Sequence, residues 1–103
     1  MNRCFVTHEP LSADGGRLVN LRPAAAFGEL TFILPPGRPP ADVAAWLPAI
    51  DKAMAGYREG DYIVLVGEMD VLAAASIAAA RASRTVRFLK WNRDTRNYSP
   101  ITL

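Results

Sequence analysis

Asp61-Tyr62-Ile63-Val64-Leu65-Val66-Gly67-Glu68, residues 61–68, is the stretch that decides the fold. Its unbroken β-branched and aliphatic run, Tyr62–Val66, predicts a strand buried on both faces, which is typical of the centre of a parallel sheet. Gly67 ends this strand, and Asp70 is placed to cap the next helix. The alanine-dominated segment Val71–Ala82 predicts that helix, since alanine has the highest helix propensity. The stretch therefore predicts the central strand–helix unit of an α/β domain.

Downstream of this unit, the sequence predicts two strands joined by a polar turn. Val86–Trp91 is rich in strand-forming residues, and the polar segment Asn92–Asn97 separates it from a second such run, Tyr98–Thr102. Pro100 cannot donate a backbone hydrogen bond, so the last strand is expected at an edge of the sheet. The chain should therefore end in an antiparallel hairpin.

Upstream of the unit, one helix and two strands are predicted. Apolar residues from Val43 to Tyr57 recur at offsets of 3, 4, 7, 11 and 14 residues, which places them on one stripe and predicts a helix over 41–57. Pro48 lies inside this helix, so we expect a kink or a break near Ala44. The two predicted strands are Arg3–His8 and Glu29–Leu34.

The order of these elements predicts one small α/β domain over residues 1–103. The order is β-β-α-β-α-β-β, with a mostly parallel central sheet, two helices and the C-terminal hairpin at the edge. Residues 1–26 are expected to form an irregular N-terminal strand and loop, with at most a short strand at Leu18–Leu21, and residues 27–103 form the βαβαββ core. A length of 103 residues is close to the usual size of a single domain.

Composition excludes several classes of protein. Half of the residues are hydrophobic and 21% are charged, as in globular domains. The weakly polar run 62–80 carries Glu68 and Asp70, each of which costs about 2.5–3.5 kcal/mol in a bilayer, so no transmembrane helix is predicted. No secretory signal is visible, and we expect a cytoplasmic protein. With one cysteine and one histidine, we expect no disulfide framework, no metal site and no cofactor.

Positive charge is concentrated at the C-terminus. Residues 81–103 hold six Lys and Arg against one acid, whereas residues 1–80 hold six against nine. Aromatic side chains lie among these cations, a pattern that binds nucleic acids or anchors protein partners. The same cations would also discourage pairing between sheet edges. The candidate contact residues are Arg87, Lys90, Trp91, Arg93, Arg96 and Tyr98.

A second candidate site lies where the predicted strands end. In open α/β sheets, ligands bind outside the carboxyl ends of the strands, where the strand order reverses. His8, Arg38, Glu68 and Asp70 each follow a predicted strand. The turn after Gly67 lacks the spaced glycines and the lysine of a phosphate-binding loop, and its two carboxylates would repel phosphate. These four residues therefore predict a small-ligand or acid–base site without identifying its substrate.

The C-terminal two-thirds resembles a group of short proteins encoded by tailed bacteriophages and prophages. The resemblance rests on the aliphatic strand ending in Gly67-Glu68, the alanine-rich helix, Leu89-Lys90-Trp91-Asn92-Arg93 and Tyr98-Ser99-Pro100-Ile101. Members of the group are expected to have Asp-Pro after the glycine and Asp after the tryptophan, where this chain has Glu68-Met69 and Asn92. The resemblance implies a phage or prophage origin, for which the expected location is the cytoplasm of the host cell, and it supplies no catalytic residues.

Three functions follow from these patterns. The leading hypothesis is a non-catalytic phage accessory protein that binds a host or phage protein through its basic, aromatic hairpin. The first alternative is single-stranded nucleic-acid binding by the same surface. The second is a small-ligand or enzymatic site at the strand ends. Membrane binding is not expected, and strand addition at the hairpin edge offers a route to a homo-oligomer.

Overall fold

The computed structural model describes residues 2–103. Over these residues the chain forms five strands, two α-helices and two short 3-10 helices. The strands are β1 (Arg3–Val6), β2 (Glu29–Phe32), β3 (Tyr62–Val64), β4 (Arg87–Asn92) and β5 (Asn97–Thr102), and the α-helices are α1 (Leu47–Met54) and α2 (Met69–Ala82). The 3-10 helices are Arg22–Ala26 and Val43–Ala45. The predicted order of strands and α-helices is confirmed.

The five strands form one sheet in the order β2-β1-β3-β4-β5. β1 pairs in parallel with β2 and β3, and β3 pairs in parallel with β4. β5 pairs antiparallel with β4 at the edge, as predicted from Pro100. The chain moves from β1 to β2 on one side and then crosses to β3 on the other, so the strand order reverses between β1 and β3. The carboxyl ends of these two strands mark the place where α/β sheets bind ligands.

Both faces of the sheet are covered, which explains the unbroken hydrophobic run of the central strand. Phe5, Ile63 and Phe88 point to the face that packs against α1 and α2. On the opposite face, the side chains of alternate strand residues pack under the segment 11–27, whose Leu21 and Ala24 are buried. All three residues of β3 are consequently buried.

The predicted helix 41–57 is broken in two. A 3-10 turn at Val43–Ala45 begins at Asp42, whose side chain accepts a hydrogen bond from the Ala44 N–H group. Trp46 then interrupts the helical backbone, and α1 begins at Leu47 with Pro48 in its first turn. Proline is tolerated there because the first-turn N–H groups have no partner within the helix. The break is confirmed, and it lies at Trp46 rather than near Ala44.

Three local predictions are wrong. Leu18–Leu21 is not a strand, because this segment turns over the sheet face and leads into the 3-10 helix at Arg22–Ala26. Asp70 is not the N-cap residue of α2, since the helix begins at Met69 and Glu68 takes the capping position. The first three strands also end two residues before their predicted ends, although the Ile33, Leu34 and Leu65 N–H groups still donate to the Val6, Thr7 and Leu89 carbonyls.

A buried carboxylate organises the other end of the sheet, where the parallel strands begin. Asp61 is 3% exposed and accepts hydrogen bonds from the backbone N–H groups of Arg3 and Arg58, each at 2.9 Å, and from the Arg3 guanidinium at 2.9 Å. Burial acts to raise the pKa of Asp61, but the hydrogen bonds from Arg58 and Arg3 outweigh burial and lower the pKa below its ordinary value of 3.8. The Tyr57 hydroxyl donates to the Asp61 carbonyl at 2.8 Å. This cluster fixes α1 and β1 to the start of β3.

Candidate functional site

The structure brings the predicted strand-end residues together at the reversal between β1 and β3. His8 follows β1 and lies against the loop after β3. Its Nε2 accepts a hydrogen bond from the Glu68 N–H group at 2.8 Å. Gly67 has a φ of +104°, and a Cβ atom added there would lie 2.6 Å from His8 Nε2. Only glycine therefore leaves room for the imidazole against this loop.

The loop after β2 completes this end of the sheet. The Gly37 N–H group donates to the Glu9 carbonyl at 2.8 Å, which fixes the loop beside β1. Arg38 Nε lies 3.3 Å from Glu68 Oε1, and the Arg38 side chain is 85% exposed. Such an exposed ion pair contributes about 1 kcal/mol or less to stability. Its guanidinium remains largely available to solvent and ligands.

A cleft of about 300 Å³ opens at this place. Its lining includes charged side chains from two loops and the first turn of α2, together with apolar side chains below them. These lining residues include Arg38, Pro40, Trp46, Glu68, Asp70 and Val71. The cleft thus offers one guanidinium and two carboxylates over an apolar floor, which suits a polar ligand that carries both signs of charge.

His8 supports the cleft from beneath. It is 2% exposed, and its Nε2 carries no proton in this arrangement because it accepts from a backbone donor. The proton of the neutral ring is then on Nδ1, which has no hydrogen-bond partner among the described residues. The four predicted site residues are therefore close together but differ in exposure to the cleft. Arg38, Glu68 and Asp70 line it, whereas His8 is buried and binds the loop after β3.

The single cysteine lies apart from this cleft. Cys4 is fully buried in β1, and burial followed by the nearby Asp61 charge raises the pKa of its thiol to about 11. The thiol is therefore protonated at neutral pH. Among residues 2–103, no group of three or more His, Cys, Asp and Glu side chains is placed to hold a metal ion.

The hairpin residues divide into two groups, of which the first is engaged inside the domain. The Arg87 guanidinium lies over the Tyr62 ring, 4.0 Å from its centroid, and donates to the Gly60 carbonyl. Tyr98 is 4% exposed, and its hydroxyl donates to the Asn20 carbonyl at 2.9 Å. Burial raises the pKa of Tyr98. Arg87 and Tyr98 thus hold the hairpin to the rest of the domain.

The second group lies near the hairpin turn and is accessible. Lys90, Arg93 and Arg96 are exposed, and Trp91 is half-buried. The Trp91 ring meets the Tyr98 ring edge to face, with centroids 5.1 Å apart, so Tyr98 fixes its orientation. We call Lys90, Trp91, Arg93 and Arg96 the hairpin surface. Four of the six predicted contact residues therefore remain accessible on the hairpin.

One surface was missed by the sequence reasoning. An apolar groove runs between α1 and α2 on the outside of the helices, and Ile77 in its wall is 56% exposed. The sequence does carry a signal for it. Val71, Ala75 and Ala78 follow the buried helical spacing, and Ile77 falls outside that stripe as a large apolar residue on the solvent side of α2.

Comparison with known proteins places the chain in a phage family. A family model described as Phage Pam3 gp32-like protein matches residues 2–103, and the chain belongs to this family. The match confirms the phage resemblance and extends it over the first 26 residues, which had not contributed to it. No curated protein and no solved structure matches the chain significantly. No helix in the described part of the chain is long and apolar enough to cross a membrane.

Proposed function

We propose that this phage-family protein is a non-catalytic accessory protein that binds an acidic surface of a host or phage protein. The contact is made by the hairpin surface. The observation that supports the proposal is a shallow pocket lined by Lys90, Trp91 and Arg93, in which the half-buried tryptophan is held edge to face by Tyr98. Tryptophan and arginine dominate the energetic centres of protein interfaces, and surrounding charges steer an oppositely charged partner.

A protein partner is favoured over single-stranded nucleic acid because the hairpin surface, as the structure describes it, offers one accessible aromatic ring. Non-specific single-strand binding uses several aromatic side chains on which successive bases stack. Tyr98 is buried and its hydroxyl is engaged by the Asn20 carbonyl, which leaves Trp91 as the accessible ring of the hairpin surface. One tryptophan with flanking cations suits an interface whose centre is a single anchor.

Site-specific photo-crosslinking in host cells tests this proposal. A photoreactive phenylalanine analogue at Arg93 is expected to give one crosslinked protein product, and Lys90→Glu with Arg96→Glu should abolish it. The same analogue at Lys52, which is exposed on α1, serves as the control position. A product of equal yield from both positions, or no product from Arg93, would contradict the proposal.

The nucleic-acid alternative has a direct test in fluorescence anisotropy. Labelled single-stranded oligonucleotides are titrated at about 50 and 200 mM salt, the range over which phosphate contacts lose most of their affinity. Salt-sensitive binding that is lost in Trp91→Ala and kept in Lys52→Ala would replace the protein partner by nucleic acid. Absence of binding at the lower salt supports the protein partner.

A small polar ligand in the cleft is a second candidate function, favoured by the convergence of Arg38, Glu68 and Asp70 at the strand reversal. A ligand that binds only the folded state raises the melting temperature by mass action. Thermal melting with a panel of zwitterionic metabolites is therefore the assay. A stabilisation that disappears in Glu68→Gln supports the site, whereas one that persists in this variant places the ligand elsewhere.

A further inference from the structure

The groove between the two helices is an exposed apolar surface with a defined shape. It has a volume of about 410 Å³. Ile77 is 56% exposed and Val43 is 46% exposed, so two large apolar side chains of the same groove face solvent. Contiguous exposed apolar residues of this kind mark an interaction site more often than single exposed residues do. The apolar residues that line it are Val43, Trp46, Leu47, Ala73, Ala74 and Ile77.

Charges of opposite sign bracket this groove along α2. Asp51 of α1 lines the groove, and so do two charged residues of α2, Asp70 in its first turn and Arg81 in its last turn. The two α2 residues are eleven residues apart, which is close to three turns of 3.6 residues, so both lie on the Ile77 side of the helix, about 16 Å from each other. Neither forms an ion pair with another described residue. The helix dipole favours an acid at the N-terminus of α2 and a base at its C-terminus, but it does not explain why both residues lie on the same side of the helix as the exposed apolar residues.

We propose that a second copy of this chain occupies the groove, with the two α2 helices antiparallel about a two-fold axis. Antiparallel packing puts Arg81 of each copy opposite Asp70 of the other, because both helices carry the same spacing. Ile77 of each copy then lies against Ala73 and Ala74 of the other, whose small side chains allow close approach. The surface is complementary to itself in both charge and shape, as a symmetric dimer interface requires.

Self-complementarity is what selects a second copy over an unrelated partner. A helix of another protein would need an acid and a base eleven residues apart on either side of an apolar stripe, and it would have to run antiparallel to α2. A second α2 supplies this pattern without further assumption. The hairpin surface lies on β4 and the turn that follows it, and none of its four residues lines the groove, so dimerisation leaves it free.

Charge reversal tests the dimer. In Asp70→Arg alone, two positive side chains face each other at each end of the interface, and in Arg81→Asp alone two carboxylates do, so each variant should be monomeric. Mixing the two variants restores opposite-charge pairs in a heterodimer. Molar mass is measured by light scattering from about 1 to 500 µM, the range in which weak dimers dissociate. Lys52→Glu on α1, outside the groove, is the matched control and should behave as the unaltered chain.

The expected result is a concentration-dependent dimer for the unaltered chain, a monomer for each single variant, and a dimer for their equimolar mixture. The mixture also shows whether the single variants are folded, since two unfolded variants would not form a defined dimer when mixed. An unaltered chain that stays monomeric over the whole range would overturn the proposal. So would a dimer that is insensitive to both charge reversals, because its interface would then lie elsewhere.

Discussion

Gly67→Ala should destabilise the domain far more than Gly37→Ala, although both glycines have the same kind of backbone. Gly67 has a φ of +104° and Gly37 a φ of +97°, so alanine is strained at either position. That strain costs about 1–2 kcal/mol. Around Gly37 nothing lies within 4 Å of an added Cβ, whereas at Gly67 the Cβ would lie 2.6 Å from His8 Nε2 and 2.8 Å from His8 Cδ2.

The additional cost at Gly67 comes from moving the imidazole. His8 is 2% exposed, so displacing its ring overpacks the region, at about 1–3 kcal/mol. The shift also breaks the 2.8 Å hydrogen bond from the Glu68 N–H group and leaves that donor without its acceptor, at about 1–3 kcal/mol. The two costs overlap, because one movement of the ring causes both. We expect Gly67→Ala to exceed Gly37→Ala by about 2–4 kcal/mol in the free energy of unfolding.

Urea unfolding followed by tryptophan fluorescence measures this difference, since Trp46 is 3% exposed in the folded state. The double variant Gly67→Ala with His8→Ala isolates the contact. In the His8→Ala background the added cost of Gly67→Ala should fall close to that of Gly37→Ala, because the backbone strain and one remaining contact, at 3.2 Å from Thr7 Oγ1, are all that is left. Equal destabilisation by the two glycine substitutions in the unaltered chain would refute the close contact between His8 and the loop after β3.

Three further predictions concern the interior. Asp61→Asn removes a charge that accepts three hydrogen bonds, so it should lower the free energy of unfolding by about 3 kcal/mol. The matched control, Asp94→Asn in the exposed hairpin turn, should change it by less than about 0.5 kcal/mol. Because the pKa of Asp61 is lowered in the folded state, the stabilisation from its charge is present above about pH 3.8 and is lost as pH falls through the folded-state pKa. The urea midpoints of the unaltered chain and of Asp61→Asn should therefore converge in acid. Midpoints that stay apart in acid would contradict this account. Cys4, with a pKa of about 11, should react with a thiol reagent at pH 8 only in urea, and rapid labelling of the folded protein would show the thiol to be accessible.

The elements could be predicted because their signals are local. The run Tyr62–Val66 and the apolar stripe between Val43 and Tyr57 follow periods that depend only on backbone geometry. The candidate cleft could also be predicted, since parallel strands bring their carboxyl ends to one edge and Arg38, Glu68 and Asp70 follow those ends. A hydrogen-bonded, structural His8 is also what the sequence favoured, but its partner could not be predicted, because the hydrogen bond from the Glu68 N–H group joins residues 60 positions apart.

The segment 11–27 was the hardest to predict because its structure depends on the surface beneath it. It carries no long apolar period, and its only described helical part is the 3-10 helix at Arg22–Ala26. Its buried residues, Leu21 and Ala24, find their place only against the second face of the finished sheet. Local propensity favoured a strand at Leu18–Leu21, and tertiary packing overrode it.

This segment also decides what the hairpin can bind. Strand alternation alone leaves the face that carries Trp91 and Tyr98 open to solvent, and an open face would offer two aromatic rings for stacking bases. The segment 11–27 instead covers part of that face, and the Asn20 carbonyl accepts a hydrogen bond from the Tyr98 hydroxyl group.

Tyr98→Phe removes only the hydrogen bond to the Asn20 carbonyl, so it should lower the free energy of unfolding by about 1 kcal/mol and leave partner binding by Trp91 unchanged. A loss of binding in Tyr98→Phe with an unchanged urea midpoint would mean that the hydroxyl contacts the partner, and the segment 11–27 would then have to move aside when the partner binds.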